Sequence, residues 1–360
     1  MTLKNTMQIV NIKNDYNIGV EVEMNHITRE DAARLAADFF GTGRYEYTGN
    51  TDGYKTWSAW DDQGRKWKFV SDCSISGPAS QQCELVTPIL EYDDIPVLQE
   101  LLRRLRKAGA VSNPNNGCGV HIHISRKDGF EVKDVKNLVN MMAAHEQQIG
   151  RAIWIDQRRT RVYCKVVSPK FLEMMKKKNP KTMSDLEHVW YEGNDANYGT
   201  FHHYNDSRYH MLNLHSFFNG HGTIEFRMFQ FSNPHTGADG TYKRGGLHAG
   251  KMKAYIQLCI AMCERAHDAR CISSKAQQTD NDKYALKWFM MRLGMVGDEF
   301  KTARKLLLQN MEGDGTYRFD REGYACYQAM QNTAPEIENA VPYTTNYTNY
   351  TNYWAQAIAG

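Results

Sequence analysis

The segment NNGCGVHIHIS, residues 115–125, carries two histidines two positions apart in an apolar, β-branched run that begins with glycines. In a β-strand, residues two apart point to the same face of the sheet. His121 and His123 therefore share one face, and the aliphatic residues at 120, 122 and 124 point to the other. The segment predicts a strand that packs on one side and carries chemistry on the other.

Three further segments predict strands with the same division between an apolar and a polar face. Their polar positions are Glu21 and Glu23 in GVEVE (19–23), Glu84 in CELVTPIL (83–90), and Glu225 and Arg227 in GTIEFRMF (222–229). If the four strands share a sheet, one face collects the carboxylates, the imidazoles and the guanidinium. Clustered carboxylates repel one another unless cations compensate them. Oxygen ligands with an imidazole suit Mg²⁺ or Mn²⁺, so the pattern predicts a site for one of these ions.

Each motif has alternatives when it is taken alone. E-x-E is common on a solvated sheet face, and E-x-R is often a surface ion pair worth about 0–1 kcal/mol. Two strand histidines about 6.6 Å apart along the chain can also hold one zinc ion, with a third ligand completing a hydrolytic site. There is no HExxH and no third histidine at a recognisable spacing, and the glutamates favour a harder ion. A zinc hydrolase stays as an alternative.

Composition predicts an ordinary globular protein. The chain has 360 residues, 41% of them hydrophobic and 24% charged, and a net charge of only +3. Without a long basic block, a nucleic-acid partner is not favoured. The eight cysteines form no CxxC pair, no signal-peptide pattern opens the sequence, and no apolar run reaches the roughly 20 residues that span a bilayer. We therefore expect a cytoplasmic protein that does not enter the membrane.

The order of predicted elements favours an α+β fold. Predicted strands are 16–25, 54–60, 65–71, 82–90 and 117–125, followed by a hairpin of 208–218 and 222–232 around NGHG; predicted helices are 28–40, 93–108, 131–150, 244–267 and 281–311. Thr28 is the predicted N-cap of the first helix. Strands that follow one another without regular alternation with helices indicate an antiparallel sheet.

The ordered set of motifs resembles the amidoligase family, whose members are regarded as ATP-dependent carboxylate–amine ligases related to glutamine synthetase and glutamate–cysteine ligase. Three further motifs contribute to the resemblance: SDCSIS with Asp72 and Ser74, DQRRTRVYC (156–164) and RYHMLNLH (208–215). The match runs from about residue 17 to 265. It implies a glutamine-synthetase-like curved antiparallel sheet, with helices packed on one face and with ATP and divalent ions on the concave face.

The resemblance also implies roles for individual residues. The implied ligands of Mg²⁺ or Mn²⁺ are Glu21, Glu23, Glu84, His121 and Glu225. All of these except Glu21 are implied to be catalytic, together with Arg227. His121 and Arg227 are implied to contact ATP, and Asp72 and Ser74 are given only a general place in its site. The substrate candidates are His123, Arg158, Arg161, Arg208 and Asn213, and Arg159 is a further candidate because guanidinium groups bind phosphates and carboxylates well.

The predicted reaction joins a small-molecule or peptide carboxylate to an amine. ATP would convert the carboxylate to an acyl phosphate, which the amine then attacks. There is no GxxxxGK[ST] sequence to indicate a P-loop. A non-catalytic binding or assembly protein that keeps the fold is the other alternative.

The predicted domains are a catalytic domain at 1–270 with an aromatic insertion at about 41–66, a helical extension at 271–340 and a T-N-Y tail at 341–360. The glycines beside the histidines predict room for a nucleotide to approach the backbone.

Overall fold

A large open antiparallel sheet organises the chain. The computed structural model describes residues 11–49, 54–196, 205–237, 239–276, 279–316 and 318. The eight strands lie in the order β2-β3-β4-β5-β1-β6-β8-β7, and each is antiparallel to its neighbours. They are β1 Tyr16–Met24, β2 Tyr45–Tyr47, β3 Trp57–Trp60, β4 Lys66–Val70, β5 Cys83–Val86, β6 Val120–Arg126, β7 Leu212–Asn213 and β8 Ile224–Phe229. Two short strands, β9 His235–Thr236 and β10 Tyr242–Lys243, pair separately.

Helices make up most of the remaining regular structure in the described ranges. They are α1 Arg29–Phe40, α2 Ile95–Lys107, α3 Val132–Ile153, α4 Gln157–Val162, α5 Pro169–Lys178, α6 Met183–Gly193, α7 Ala249–Asp268, α8 Asp282–Arg292 and α9 Lys301–Leu308. Helix α1 contacts β3 and β4, and α7 contacts β6. The predicted mixed fold with a large antiparallel sheet is confirmed.

The core lies on the apolar face of this sheet. Val20 and Val22 of β1, Leu85 of β5, and Ile122 and Ile124 of β6 are at most 1% exposed. Burying a large aliphatic side chain stabilises a fold by about 1.5–3 kcal/mol. Strand alternation sends the intervening residues to the opposite face, so the same packing that fixes the register also fixes where the polar side chains lie.

Several predicted boundaries agree with the structure. The Thr28 hydroxyl accepts a hydrogen bond from the backbone N–H of Asp31, as expected for the N-cap of α1. The helix predicted at 93–108 is α2, and Gly109 after it has a φ of 106°, a left-handed conformation that favours glycine. The 41–66 segment supplies β2 and β3 at one edge of the sheet, with the Trp57 ring centroid 5.9 Å from that of Tyr45.

Other predictions need correction. The single helix predicted at 281–311 is two helices, α8 and α9, because Gly294 and Gly297 between them have φ of 79° and 76°. The hairpin predicted around NGHG has only two strand residues on its first side, since a 3-10 turn, Asp206–Arg208, precedes β7 and helical turns that end in the π-helical turn Phe217–His221 follow it. Helices α4, α5 and α6 were not predicted.

The described residues up to Thr316 belong to one compact unit. Helices α8 and α9 pack against α3 within this unit. The domain boundary at 270 stays a prediction, and the T-N-Y tail at 341–360 lies outside the described residues. Among the helices that the structure describes, none has the length and apolar character needed to cross a bilayer.

Candidate active site

Four adjacent strands, β5, β1, β6 and β8, bring the predicted polar residues together on one face. The backbone register places Glu23 opposite Glu84, Glu21 opposite His121, His123 opposite Glu225, and Asn213 of β7 opposite Glu225. Directly paired residues of antiparallel strands project to the same side. The side chains therefore meet because the hydrophobic alternation of each strand sets this register.

His121 lies among three carboxylates and is only 4% exposed. Its Nδ1 is 2.9 Å from Glu21 Oε2 and 3.7 Å from Glu225 Oε1. Its Nε2 is 3.6 Å from Glu23 Oε1. The imidazole of His121 thus lies between Glu21 and Glu23 on β1 and Glu225 on β8.

His123 presents an unsatisfied nitrogen to the same cluster. Its Nδ1 is 3.1 Å from Thr223 Oγ1, a contact that fixes the orientation of the ring. Its Nε2 lies 3.4 Å from Glu21 Oε1 and 4.0 Å from Glu225 Oε1. This nitrogen is buried and makes no hydrogen bond of acceptable geometry within the described residues. A buried nitrogen in this state is a natural position for a metal ligand.

Three overlapping groups of side chains are compact enough to hold an ion, since the donor atoms within each group lie within 4.8 Å of one another. The groups are Glu21, Glu84 and His121; Glu21, His123 and Glu225; and Glu23, Asp72 and Glu84. The first two groups share Glu21, and the first and third share Glu84, so the three groups form one continuous site. All five sequence-predicted metal ligands lie in or beside it, and their roles stay predictions.

Asp72 and Ser74 reach this site differently. Asp72, in the loop after β4, lies with Glu23 and Glu84, and its Oδ1 accepts a hydrogen bond of 2.7 Å from the backbone N–H of Ser74. Ser74 itself is exposed. The D-x-S element therefore places its aspartate at the carboxylates, and the serine backbone orients it.

Arg227 neutralises part of the negative charge. Its Nη1 donates to Glu225 Oε1 at 2.5 Å, and Asn213 Nδ2 donates to Glu225 Oε2 at 2.6 Å. Glu225 is therefore held at both oxygens. Arg227 is buried, and its Nε has no hydrogen-bond partner among the described residues.

The cluster shifts the pKa values of its members in opposite directions. Burial, followed by repulsion from Glu21 and Glu23, raises the pKa of Glu84 well above its ordinary value. Burial opposes ionisation of Glu225, but the charges of Arg227 and His123 outweigh it and lower its pKa to about 2. Glu21 is likewise disfavoured by burial, yet the neighbouring histidines, His123 before His121, hold its pKa well below the usual range.

The charges of the neighbouring carboxylates also shift the pKa of His123. Burial lowers its pKa, but the carboxylates of Glu225 and Glu21 more than offset this and raise it above its ordinary value. Without a metal ion, the site therefore favours a protonated Glu84 and an imidazolium at His123. A divalent cation would take over the neutralising role of both protons.

The four arginine candidates occupy different environments. Arg158 is 66% exposed on its side chain and pairs with Asp156, and Arg161 is also exposed. The guanidinium of Arg208 lies 5.8 Å from the centre of the Tyr209 ring. Arg159 is buried, and its Nη1 is 4.0 Å from Glu23 Oε2.

The structure thus joins Arg159 to the cluster, whereas the substrate assignment favoured Arg158 and Arg161. A helix of six residues offers too little periodicity for the sequence to identify its buried position. The signal that could have found Arg159 is Gly119, a glycine directly before β6 whose missing side chain leaves space for another group.

Two comparisons bear on what kind of protein carries this site. A search of curated proteins finds no significant match to the chain. The model of the family described as "Putative amidoligase enzyme" matches residues 14–263, which include every strand of the large sheet and every residue of the cluster. The match extends over more than half of the sequence, and the chain therefore belongs to this amidoligase family, a family of ligase-type enzymes.

Proposed function

We propose that the protein is an ATP-dependent carboxylate–amine ligase that acts through an acyl phosphate on a glutamine-synthetase-like curved sheet. The observation that carries this proposal is the convergence of Glu21, Glu23, Glu84 and Glu225 around His121, beside the buried cation of Arg227. Family membership supports ligase chemistry, and the composition of the cluster supports a phosphate-transfer site.

The residues present fit a hard divalent ion. Each compact group contains at least two carboxylates and at most one imidazole, and Mg²⁺ and Mn²⁺ prefer oxygen donors. The buried Nε2 of His123, which makes no hydrogen bond within the described residues, and the raised pKa of Glu84 both fit a site that holds a cation. We propose Glu21, Glu23, Glu84, His121 and Glu225 as ligands, with His123 and Asp72 adjoining them. When bound, the ion would orient the phosphates of ATP and neutralise their charge.

Arg227 is proposed to stabilise the phosphoryl group as it is transferred. Its guanidinium is fixed by Glu225, so it can hold its position while charge moves from ATP to the substrate. Its Nε–H, which has no partner within the described ranges, could donate a further hydrogen bond to a phosphate oxygen. The pair of Asn213 and Arg227 keeps the Glu225 carboxylate oriented throughout.

The reaction balances without a protein nucleophile. An oxygen of the substrate carboxylate attacks the γ-phosphorus of ATP, and ADP leaves. The amine nitrogen then attacks the acyl carbon, the C–O bond to phosphate breaks, and an amide and inorganic phosphate result. The attacking amine loses a proton, which a carboxylate of the site can accept. The substrates are proposed to be a small-molecule or peptide carboxylate and an amine.

The test is an ADP-release assay on the full chain. Purified protein is incubated with ATP, pooled amino acids and short peptides, and pooled amines, with Mg²⁺, Mn²⁺ or Zn²⁺ in separate reactions. We expect ADP and phosphate release that needs Mg²⁺ or Mn²⁺ and an added substrate, and that is lost in Glu23→Gln. Glu100→Gln, an exposed substitution of the same type on α2, is the control and should retain activity.

Two outcomes would favour the alternatives. Zn²⁺-dependent cleavage of peptides or amides without nucleotide would indicate a hydrolase. Binding of ATP without turnover of any pooled substrate, unchanged in Glu23→Gln, would indicate a non-catalytic binding protein.

A further inference from the structure

The buried side chain of Arg159 occupies the place that a side chain at Gly119 would take. A Cβ built on Gly119 would lie 2.2 Å from both Nη1 and Nη2 of Arg159 and 2.4 Å from its Cζ. Gly119 is not among the residues with positive φ, so the requirement for glycine here is space and not backbone conformation. The expectation that this glycine leaves room for a nucleotide is wrong, because the Arg159 guanidinium fills that room.

The same unit fixes one oxygen of Glu23. The backbone N–H of Gly119 donates to Glu23 Oε2 at 2.5 Å, and Arg159 Nη1 stands 4.0 Å from that oxygen. The other oxygen, Oε1, faces His121 Nε2 at 3.6 Å. One oxygen of Glu23 is therefore held by the protein, and the other is directed toward the proposed ion site.

Arg159 also connects this carboxylate to the strand that carries the phosphate-binding candidates. Its Nη2 donates to the backbone carbonyl oxygen of Arg227 at 3.0 Å. Cys164 Sγ contacts the same carbonyl oxygen at 3.2 Å. A single planar guanidinium thus spans the space between Glu23 on β1 and Arg227 on β8.

We propose that Arg159 is a positioning residue that orients Glu23 for metal binding. We also propose that glycine is needed at position 119 because a larger side chain would displace the Arg159 guanidinium. This inference rests on the proposed divalent-ion site. It assigns Arg159 a role other than anion binding, because the residue is 6% exposed, its Nη2 donates to the carbonyl oxygen of Arg227 and its Nη1 faces Glu23. Lysine could keep the charge, but its single ammonium could not reproduce both contacts of the planar fork.

The experiment measures Mn²⁺ binding alone, by electron paramagnetic resonance of the free ion, to the full-length protein. Loss of a group that orients a metal ligand typically weakens metal binding by about 10- to 100-fold. We expect such a loss in Arg159→Met, a smaller loss in Arg159→Lys, and a loss in Gly119→Ala similar to that in Arg159→Met. The exposed Arg103→Met on α2 is the matched control and should bind Mn²⁺ as the unaltered protein does.

A double variant distinguishes positioning from general damage. If Gly119→Ala acts by displacing the guanidinium, then adding it to Arg159→Met should cause little further loss of Mn²⁺ affinity. Circular dichroism and thermal denaturation check that each variant is folded. Should Arg159→Met not fold, Arg159→Lys and Gly119→Ala decide the matter.

The outcomes separate this inference from the proposed function. Absence of Mn²⁺ binding by the unaltered protein would remove the proposed ion site itself. Tight binding by the unaltered protein, together with equal binding by folded Arg159→Met or Gly119→Ala, would leave the proposed function standing and overturn the role of Arg159. Additive losses in the double variant would also overturn it.

Discussion

We expect binding of Mg²⁺ or Mn²⁺ to release protons from Glu84 and His123. Burial and the neighbouring carboxylates of Glu21 and Glu23 raise the pKa of Glu84 well above its ordinary value. Burial lowers the pKa of His123, but attraction to Glu225 and Glu21 outweighs it and leaves the pKa above 6.5. The carboxyl group of Glu84 must lose its proton to become a metal ligand, and the nearby positive charge of the ion would favour loss of the proton from the adjoining imidazolium of His123.

The size of the effect follows from the number of protons. At a pH below both pKa values, each occupied site should release up to two protons, one from each group. Each released proton makes the apparent affinity rise about tenfold per pH unit, or about 1.4 kcal/mol. The affinity should therefore increase with pH and level off once the pH exceeds both pKa values.

Isothermal titration calorimetry measures this directly. The protein is titrated with Mn²⁺ at pH 6 in two buffers of different ionisation enthalpy, and the difference in observed enthalpy gives the number of protons released. Glu84→Gln and His123→Asn should each reduce that number by up to one, whereas Glu100→Gln should not change it. Binding without proton release, or the same release in Glu84→Gln, would refute the electrostatic account of the cluster.

Three further predictions concern stability and the support of Glu225. The pKa of Glu225 in the folded protein is about 2, below its ordinary 4.5, so this group adds stability above pH 4.5 that is lost as the pH falls toward 2. The shift in pKa corresponds to about 3 kcal/mol of unfolding free energy. Glu225→Gln should therefore flatten the pH dependence of the unfolding free energy, measured with urea, over that range. If Glu225→Gln left the pH dependence of the unfolding free energy unchanged, the ion pair between Glu225 and Arg227 would have no net effect on stability. Asn213→Leu removes the donor to Glu225 Oε2 and should weaken Mn²⁺ binding about tenfold in the same resonance titration, and unchanged affinity would contradict its orienting role. Thr28→Ala deletes the cap of α1 and should lower the free energy of unfolding by about 1 kcal/mol while leaving Mn²⁺ affinity unchanged; a change in affinity would contradict the independence of helix α1 from the site.

The strands of the site could be predicted because their periodicity is simple. Alternation with a period of two placed Glu21 with Glu23 and His121 with His123, and the buried valines and isoleucines between them fix that choice of face. The convergence of β5, β1, β6 and β8 needed the ordered motif set, because alternation within a strand does not say which strands are neighbours.

The residues that sequence reasoning missed depend on tertiary contacts. Arg158, Arg159 and Arg161 look alike in the sequence, and only the docking of α4 above Gly119 makes Arg159 the buried one. The π-helical turn Phe217–His221 lies where a longer hairpin was predicted, since the hydrophobic pattern does not distinguish an extended run from a tight turn of similar composition. Glycine conformation at 294 and 297, which the pattern also does not specify, divides the last predicted helix.

In the proposed reaction, ATP activates a carboxylate as an acyl phosphate at this site. The most direct measurement supplies pooled amino acids and short peptides whose carboxylates carry ¹⁸O, together with ATP, Mg²⁺ and pooled amines, and analyses the released phosphate by mass spectrometry. We expect phosphate that contains one ¹⁸O atom, formed by the unaltered protein and by Glu100→Gln but not by folded Glu23→Gln. Release of unlabelled phosphate, or cleavage of a substrate without ATP, would contradict it.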